Sequence, residues 1–201
     1  MISVDGRETG IDISKFQNLE EILLTIVDAG ALEGRVVTDV LVNNERFSEI
    51  YPHQAEDIEA TEITSVEVKS MPRLEMAFNI TKELDKVVRL MEEGAKRVAE
   101  LFRQADDAQA LEVYQDLLDV TRDFLHMIGV LRQDGTSQND EGFNAAAQEI
   151  SALFTEMTEV LENEDWILLA DLLEYEFTPA IVHWKSVIAR LREDFREAGK
   201  E

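Results

Sequence analysis

Asp116, Asp119, Asp123 and His126 follow one another at spacings of three, four and three residues, which lines them along one face of a helix. Three carboxylates and an imidazole so placed are donors a divalent metal would accept. Their position relative to the apolar residues argues otherwise. Each lies two residues beyond a core position of the same segment, about 200° around a helix, so the set points to solvent. Carboxylate metal sites in helical bundles face inward and use Glu-x-x-His pairs, and no Glu-x-x-His occurs in the chain. The expectation is a solvated acidic stripe with no bound metal and no cofactor.

Other constellations fare no better. Asp134 to Gly142 offers acidic residues and glycines, as a calcium loop would. Counted from Asp134, however, Asn139 stands where an EF-hand needs glycine and Ala145 where it needs the bidentate glutamate. His53 sits beside Pro52 without a partner in sequence, and His183 lies on the flank of a helix, where a neighbour is expected to satisfy it. There is no cysteine, no Gly-x-Ser-x-Gly and no phosphate-cradling glycine loop. No catalytic residue is assigned. An enzyme or metal-binding protein would have to assemble scattered carboxylates in a cleft between two domains.

The elements that would position any site are legible from periodicity. Leu74, Ala77, Thr81, Leu84, Val88, Met91, Ala95, Val98, Phe102 and Ala105 alternate steps of three and four, the rhythm that keeps one stripe of a long helix facing a partner. A second seam runs through Ala110, Tyr114, Leu117, Thr121, Phe124, Ile128 and Leu131. It is widened by Leu111, Leu118 and Leu125 on one side and by Val113, Val120 and Met127 on the other. So broad an apolar face requires more than one neighbour. A third helix is predicted on Phe143, Ala147, Ile150, Phe154, Met157 and Leu161. The last is predicted on Trp166, Ala170, Leu173, Phe177, Ala180, Trp184, Val187 and Leu191, with Asp165 as its cap and Pro179 kinking it. Residues 71–201 therefore read as an antiparallel four-helix bundle whose last helix is bent at proline.

Before it lies a shorter, strand-containing module, residues 1–70. Ile2 and Val4 alternate into Asp5-Gly6, a turn-forming pair, and Ile11 and Ile13 alternate on the return. Asn18 can cap a helix carrying Leu19, Ile22, Leu23, Ile26, Val27 and Ala31, which Gly30 or Gly34 can end. Arg35 to Val42 is a β-branched run that stops at Asn43-Asn44, with a short return through Phe47, and Ile58 to Lys69 alternates as a last strand. Ser70-Met71-Pro72 then starts the first long helix. Hairpin, helix, strand, short strand, strand resembles the order of the β-grasp, or ubiquitin-like, module. The fold class is thus α+β, and the resemblance implies a binding or tethering role.

Charge is the strongest compositional fact. The net charge of −24 over 201 residues repels nucleic-acid phosphates and anionic membrane surfaces and attracts basic protein segments. Its layout is uneven. No Lys or Arg stands between Arg132 and Lys185, whereas the first long helix carries Arg73, Lys82, Lys86, Arg89, Lys96, Arg97 and Arg103. The acidic stretch is either offset by that basic helix or left open to a basic partner. Glu156, Glu159, Glu162, Asp171 and Glu174, with Trp166 as an aromatic anchor, are the residues expected to meet such a partner. Tyr51, Tyr175 and Trp184 would add to the anchor if they cluster.

The segment from Asp165 to Glu176, followed by Pro179, resembles stretches of uncharacterised acidic bacterial proteins. In size and acidity the helical part is similar to the export chaperones of bacterial flagella, which lack an N-terminal β module. The longest apolar runs, Ile22–Leu24 and Ile167–Ala170, are too short to span a bilayer. The expectation is a cytoplasmic interaction protein of adaptor or chaperone type, binding a basic or amphipathic helix or pairing with itself.

Overall fold

The computed structural model describes residues 1–48, 54–134 and 141–199. The chain divides into two compact units, Met1–Met76 and Ala77–Glu201. The architecture is α+β: a small mixed sheet in the first unit and five helices in the second, among the described residues.

In the first unit, β1 (Ile2–Val4), β2 (Arg7–Glu8), β3 (Arg35–Val42), β4 (Glu45–Phe47) and β5 (Val66–Pro72) form one sheet in the order β2-β1-β5-β3-β4. β1 runs parallel to β5, pairing Ile2 with Val66 and Val4 with Val68, and the other pairs are antiparallel. Both tight turns take left-handed backbone at two successive residues, Asp5 (φ 49) with Gly6 (φ 76) and Asn43 (φ 54) with Asn44 (φ 67), the geometry that matches strand twist. Helix α1 (Leu19–Asp28) is capped by Asn18, whose Oδ1 accepts from the Glu21 N–H at 3.0 Å. Leu19, Ile22 and Ile26 are buried against Ile2, Val4, Val66 and Val68, so sheet and helix share one core.

Two strand expectations need correction. The return strand of the first hairpin stops at Glu8; Gly10 turns left-handed (φ 71) and Ile13 enters a 3-10 turn, Ile13–Lys15. The last strand begins at Val66, not Ile58. The backbone at 58–60 is tied to the start of α1 instead, through Leu19 N–H to Ile58 O and Ala60 N–H to Gln17 O, both 2.9 Å. That strand then runs on through Ser70-Met71-Pro72, where a helix start was expected. The reason is at Ser70. Its N–H donates to Asp5 Oδ1 at 2.7 Å, and its hydroxyl meets Asp5 Oδ2 and Arg35 Nε, each at 2.8 Å. A serine so engaged is held in the central strand and cannot cap. Helix α2 begins at Arg73.

The second unit is built from α2 (Arg73–Arg103), α3 (Asp107–Asp134), α4 (Glu141–Glu162), α5 (Trp166–Leu172) and α6 (Thr178–Ala198). In α2 the seam from Ala77 to Phe102 is buried throughout; in α3 all seven seam positions are buried. The α4 seam is displaced from the expected one. Its buried row is Ala146, Ile150, Leu153, Met157 and Val160, which leaves Phe143, Ala147, Phe154 and Leu161 half-buried on the flank. Turns α2–α3 and α4–α5 close in the same way. Ala105 (φ 57) and Glu164 (φ 55) take the left-handed position, and the next residue's N–H, Asp106 or Asp165, reaches back to Leu101 O or Val160 O.

Pro179 does interrupt the last helix, and the interruption is a π-helical turn, Leu173–Phe177, that joins α5 to α6. The Thr178 N–H reaches back five residues to Leu173 O, and the Thr178 hydroxyl donates to the same oxygen at 2.9 Å. Proline follows as one of the first residues of α6, where its missing N–H costs nothing.

Two threonines sit in the seams. Thr121 is buried and donates to Leu117 O at 2.7 Å. Thr81, also buried, accepts from Arg192 Nε at 3.1 Å, while Arg192 Nη2 donates to Thr81 O at 2.8 Å and to the Asp85 carboxylate. Trp184 is fully buried between Phe124 and Phe143, edge-on to both at 5.6 and 5.4 Å.

Candidate functional site

The face of α3 that turns away from its seam is the most organised surface of the helical unit. Its centre is a ridge of exposed charge, Asp116, Asp119, Asp123 and His126, pointing to solvent as their spacing requires. Arg122 is drawn into this ridge, 3.0 Å from Asp119 and 3.6 Å from Asp123.

An apolar depression flanks the ridge on each side. Between α3 and α4, Leu111, Tyr114, Leu118, Phe154 and Leu161 line an open groove of about 640 Å³, edged by Gln115, Asp119, Arg122 and Thr158. Between α2 and α3, Leu90, Met91, Gly94, Val113, Leu117 and Val120 line a smaller furrow of about 170 Å³, with Asp116 at its edge. Gly94 keeps this furrow shallow-walled, since a Cβ there would stand 3.4 Å from Leu117 Cδ1. The extra width of the α3 apolar face is therefore only half covered by its neighbours. Leu111 remains 37% exposed and Met127 39%.

Tyr114 belongs both to the buried seam and to the wall of the larger groove. Burial pushes its phenol up to about 12, because the phenolate would lose its water.

The charges around this face divide the acidic stretch into two parts. Asp171 of α5 accepts from Arg103 Nη2 at 2.8 Å and Glu174 of the π turn pairs with Arg103 Nη1; the hydrogen bonds that Arg103 gives to Asp171 first and Glu174 next hold its guanidinium above its ordinary value. Nearby α2 carboxylates are similarly matched, Glu92 with Lys96 at 2.9 Å and Lys185 at 3.5 Å. In α4 the situation differs. Glu149 lies 3.4 Å from His183 Nδ1, but Glu156, Glu159 and Glu162 are exposed and have no ion pair among the described residues. Helices α3 and α4 together carry eleven acidic and two basic residues. One of those bases, Arg132, is held 3.7 Å over the Phe143 ring.

The residues expected to form a partner surface are thus separated in role. Asp171 and Glu174 serve Arg103. Trp166 is half-buried and stacked on Phe102, and Trp184 is core. Tyr175 stands 65% exposed beside Arg103, whose guanidinium is 6.0 Å from its ring centroid. The aromatic cluster does not form from these three, and Tyr51 and His53 lie outside the described residues, as does most of the 134–142 loop. His183 is half-exposed, with Glu149 as its neighbour. Among the described residues no group of three or more metal-ligating side chains could hold an ion. The grooved face was missed as a site, although the signal was present: Leu111 and Leu118 widened a seam beyond what one neighbour can cover.

Residues 1–71 match a family model described as Domain of unknown function (DUF8043), and residues 79–187 match one described as Domain of unknown function (DUF8042). Nothing among curated proteins or solved structures matches the chain. The second match takes in the whole grooved face of α3 and more than half of the sequence, and the chain belongs to the DUF8042 family.

Proposed function

We propose that the protein is a non-enzymatic interaction protein of adaptor or chaperone type, whose helical unit receives a basic or amphipathic segment of another protein. The observation that carries this reading is on α4. Glu156, Glu159 and Glu162 stand exposed, with no counter-charge among the described residues, on the same helix that contributes Phe154, Thr158 and Leu161 to an apolar groove. Exposed carboxylates on the helix that walls an apolar groove, Glu162 next to it and Glu156 and Glu159 further round, suit a partner carrying both Lys or Arg and aliphatic side chains. The net charge of −24 opposes nucleic acid, anionic membrane and, across this face, a second copy of the chain. No described helix is long and apolar enough to cross a membrane, and a chain without cysteine suits the cytoplasm.

The finer architecture belongs to the same proposal. Strand order β2-β1-β5-β3-β4 with β1 and β5 parallel supports a β-grasp module in the first unit. Four rods, the last made of α5, the π turn and α6, support an antiparallel four-helix bundle in the second.

The test is binding of fluorescent basic amphipathic helical peptides to the full chain at low and high salt. Binding that weakens steeply with salt, and falls on joint Glu156→Gln, Glu159→Gln and Glu162→Gln substitution, is the expected result. Absence of binding, or binding indifferent to both changes, would remove the acidic face from the reading.

A further inference from the structure

We propose that the groove between α3 and α4 is the docking site for one amphipathic basic helix of a partner protein, seated along Leu111, Leu118, Phe154 and Leu161. The proposal rests on the interaction reading above and gives it a place and an occupant.

Shape argues for a helix. The lining residues run from Leu111 to Arg122 on α3 and from Phe154 to Leu161 on α4. At about 1.5 Å per residue these are stretches of roughly 16 and 10 Å. Two turns of apolar wall on each side match the reach of anchors at i, i+3 or i+4, and i+7 of a docked helix. An extended strand would find only helices here, whose backbone groups are already paired, and no sheet edge to add to.

Charge selects which helix. Of the two basic residues on α3 and α4, Arg132 is folded over Phe143 and Arg122 is engaged by Asp119 and Asp123. The groove therefore presents an aliphatic and aromatic floor whose rim carries Asp119 paired with Arg122 on the α3 side and exposed Glu162 beyond Leu161, on two helices with eleven acidic and two basic residues. A helix with Lys or Arg flanking a Leu or Ile stripe is complementary on both counts. A second copy of this chain brings −24 against −24, so self-pairing through this groove works against the field.

The experiment uses the full chain and three labelled peptides of equal length: a Leu/Lys amphipathic helix, its sequence-scrambled form, and a Leu/Glu helix. Binding is read by fluorescence anisotropy. The Leu/Lys helix should bind, and the other two at least about tenfold more weakly, a difference of about 1.4 kcal/mol. Leu111→Gln and Leu118→Gln should each weaken it by a similar factor. Val113→Gln, the same kind of change on the opposite flank of α3, should leave it unaltered. Thr158→Phe, which fills the groove without deleting core, is the second probe should Leu118→Gln unfold, as checked by circular dichroism.

If the Leu/Lys helix binds but ignores the groove variants while still responding to Glu156→Gln, Glu159→Gln and Glu162→Gln, the groove assignment fails and the broader reading stands. If no peptide binds, both fall. Equal binding of the scrambled or Leu/Glu peptide, or a dimer in sedimentation that Leu111→Gln dissolves, would overturn the occupant named here.

Discussion

The indole of Trp166 lies flat on the ring of Phe102, with centroids 5.2 Å apart and planes within 2°. Phe102 is the last buried seam residue of α2, and Trp166 is the first residue of α5, so the stack seals the end where those helices meet. Trp166→Ala should lower stability by about 2 kcal/mol, since the side chain is only half-buried and a fully buried Trp costs more. Trp166→Phe, which keeps a ring on the stack, should cost less than about 1 kcal/mol. Urea unfolding measures both. An alanine variant as stable as the parent would show that the indole is held for a partner and not for the fold.

Asp5 ties the first unit together while its carboxyl is ionised, and low pH removes the tie. The Ser70 N–H, then the Ser70 hydroxyl and the Arg35 guanidinium, hold its carboxyl below the ordinary aspartate range. A folded-state value below the unfolded one stabilises the protein above the unfolded pKa and is lost as pH falls through the folded one. Acid unfolding of the isolated first unit is not required to see this. In the full chain the Asp5 carboxyl carbon, followed by NMR, should titrate at lower pH than that of a free aspartate, and Asp5→Asn should release the Ser70 amide to faster hydrogen exchange. An unshifted titration would mean that the Ser70 bonds do not persist in solution.

Tyr114 sets an alkaline limit. Its phenol is pushed up to about 12 by burial, so folding favours the neutral form. The sign is opposite in sense to that of Asp5: the contribution is complete below the unfolded value near 10 and disappears as pH rises towards about 12. Spectrophotometric titration should show Tyr114 ionising later than a free tyrosine, or only as the helical unit unfolds. Tyr114→Phe should remove the late step. Ionisation of Tyr114 in the folded protein at the pH of a free tyrosine would mean the groove wall is far wetter than its burial indicates.

Gly129 lies inside α3 with nothing within 4 Å of where a Cβ would stand, and glycine in a helix interior costs roughly 0.5–1 kcal/mol relative to alanine. Gly129→Ala should therefore raise stability by about that amount. Gly94→Ala in α2 should gain less, because the new methyl meets Leu117 Cδ1 at 3.4 Å and enters the α2–α3 furrow. Thermal unfolding of the two variants side by side checks the order; loss of stability in Gly129→Ala would contradict the open space beside it.

Residue types predicted the architecture where one pattern dominated. Every seam position of α3 is buried, and β3 runs from Arg35 to Val42 between the turn glycine Gly34 and Asn43, because β-branched residues and left-handed turn formers point to the same structure there. The misreadings occur where a local signal met a tertiary partner. Ser70 could cap a helix, but Asp5 and Arg35 are distant in sequence and hold it in the sheet. In α4 two rows of apolar residues compete, and only the packed neighbours decide that Ala146, Leu153 and Val160 go inside while Phe154 and Leu161 stay at the groove. Asp171 and Glu174 could be assigned neither to the basic helix nor to a partner for the same reason: Arg103, which they meet, is on a different helix.

The contact between Arg192 and Thr81 has a consequence for alignment. Helices whose oily residues recur every seven positions could slip past each other by two turns, about 10.5 Å, and still mate. Seven residues either way from Thr81 stand Leu74 and Val88, neither offering a hydroxyl to the guanidinium. Arg192 thus acts as a key cut for the slot at Thr81, and favours one height of α6 against α2.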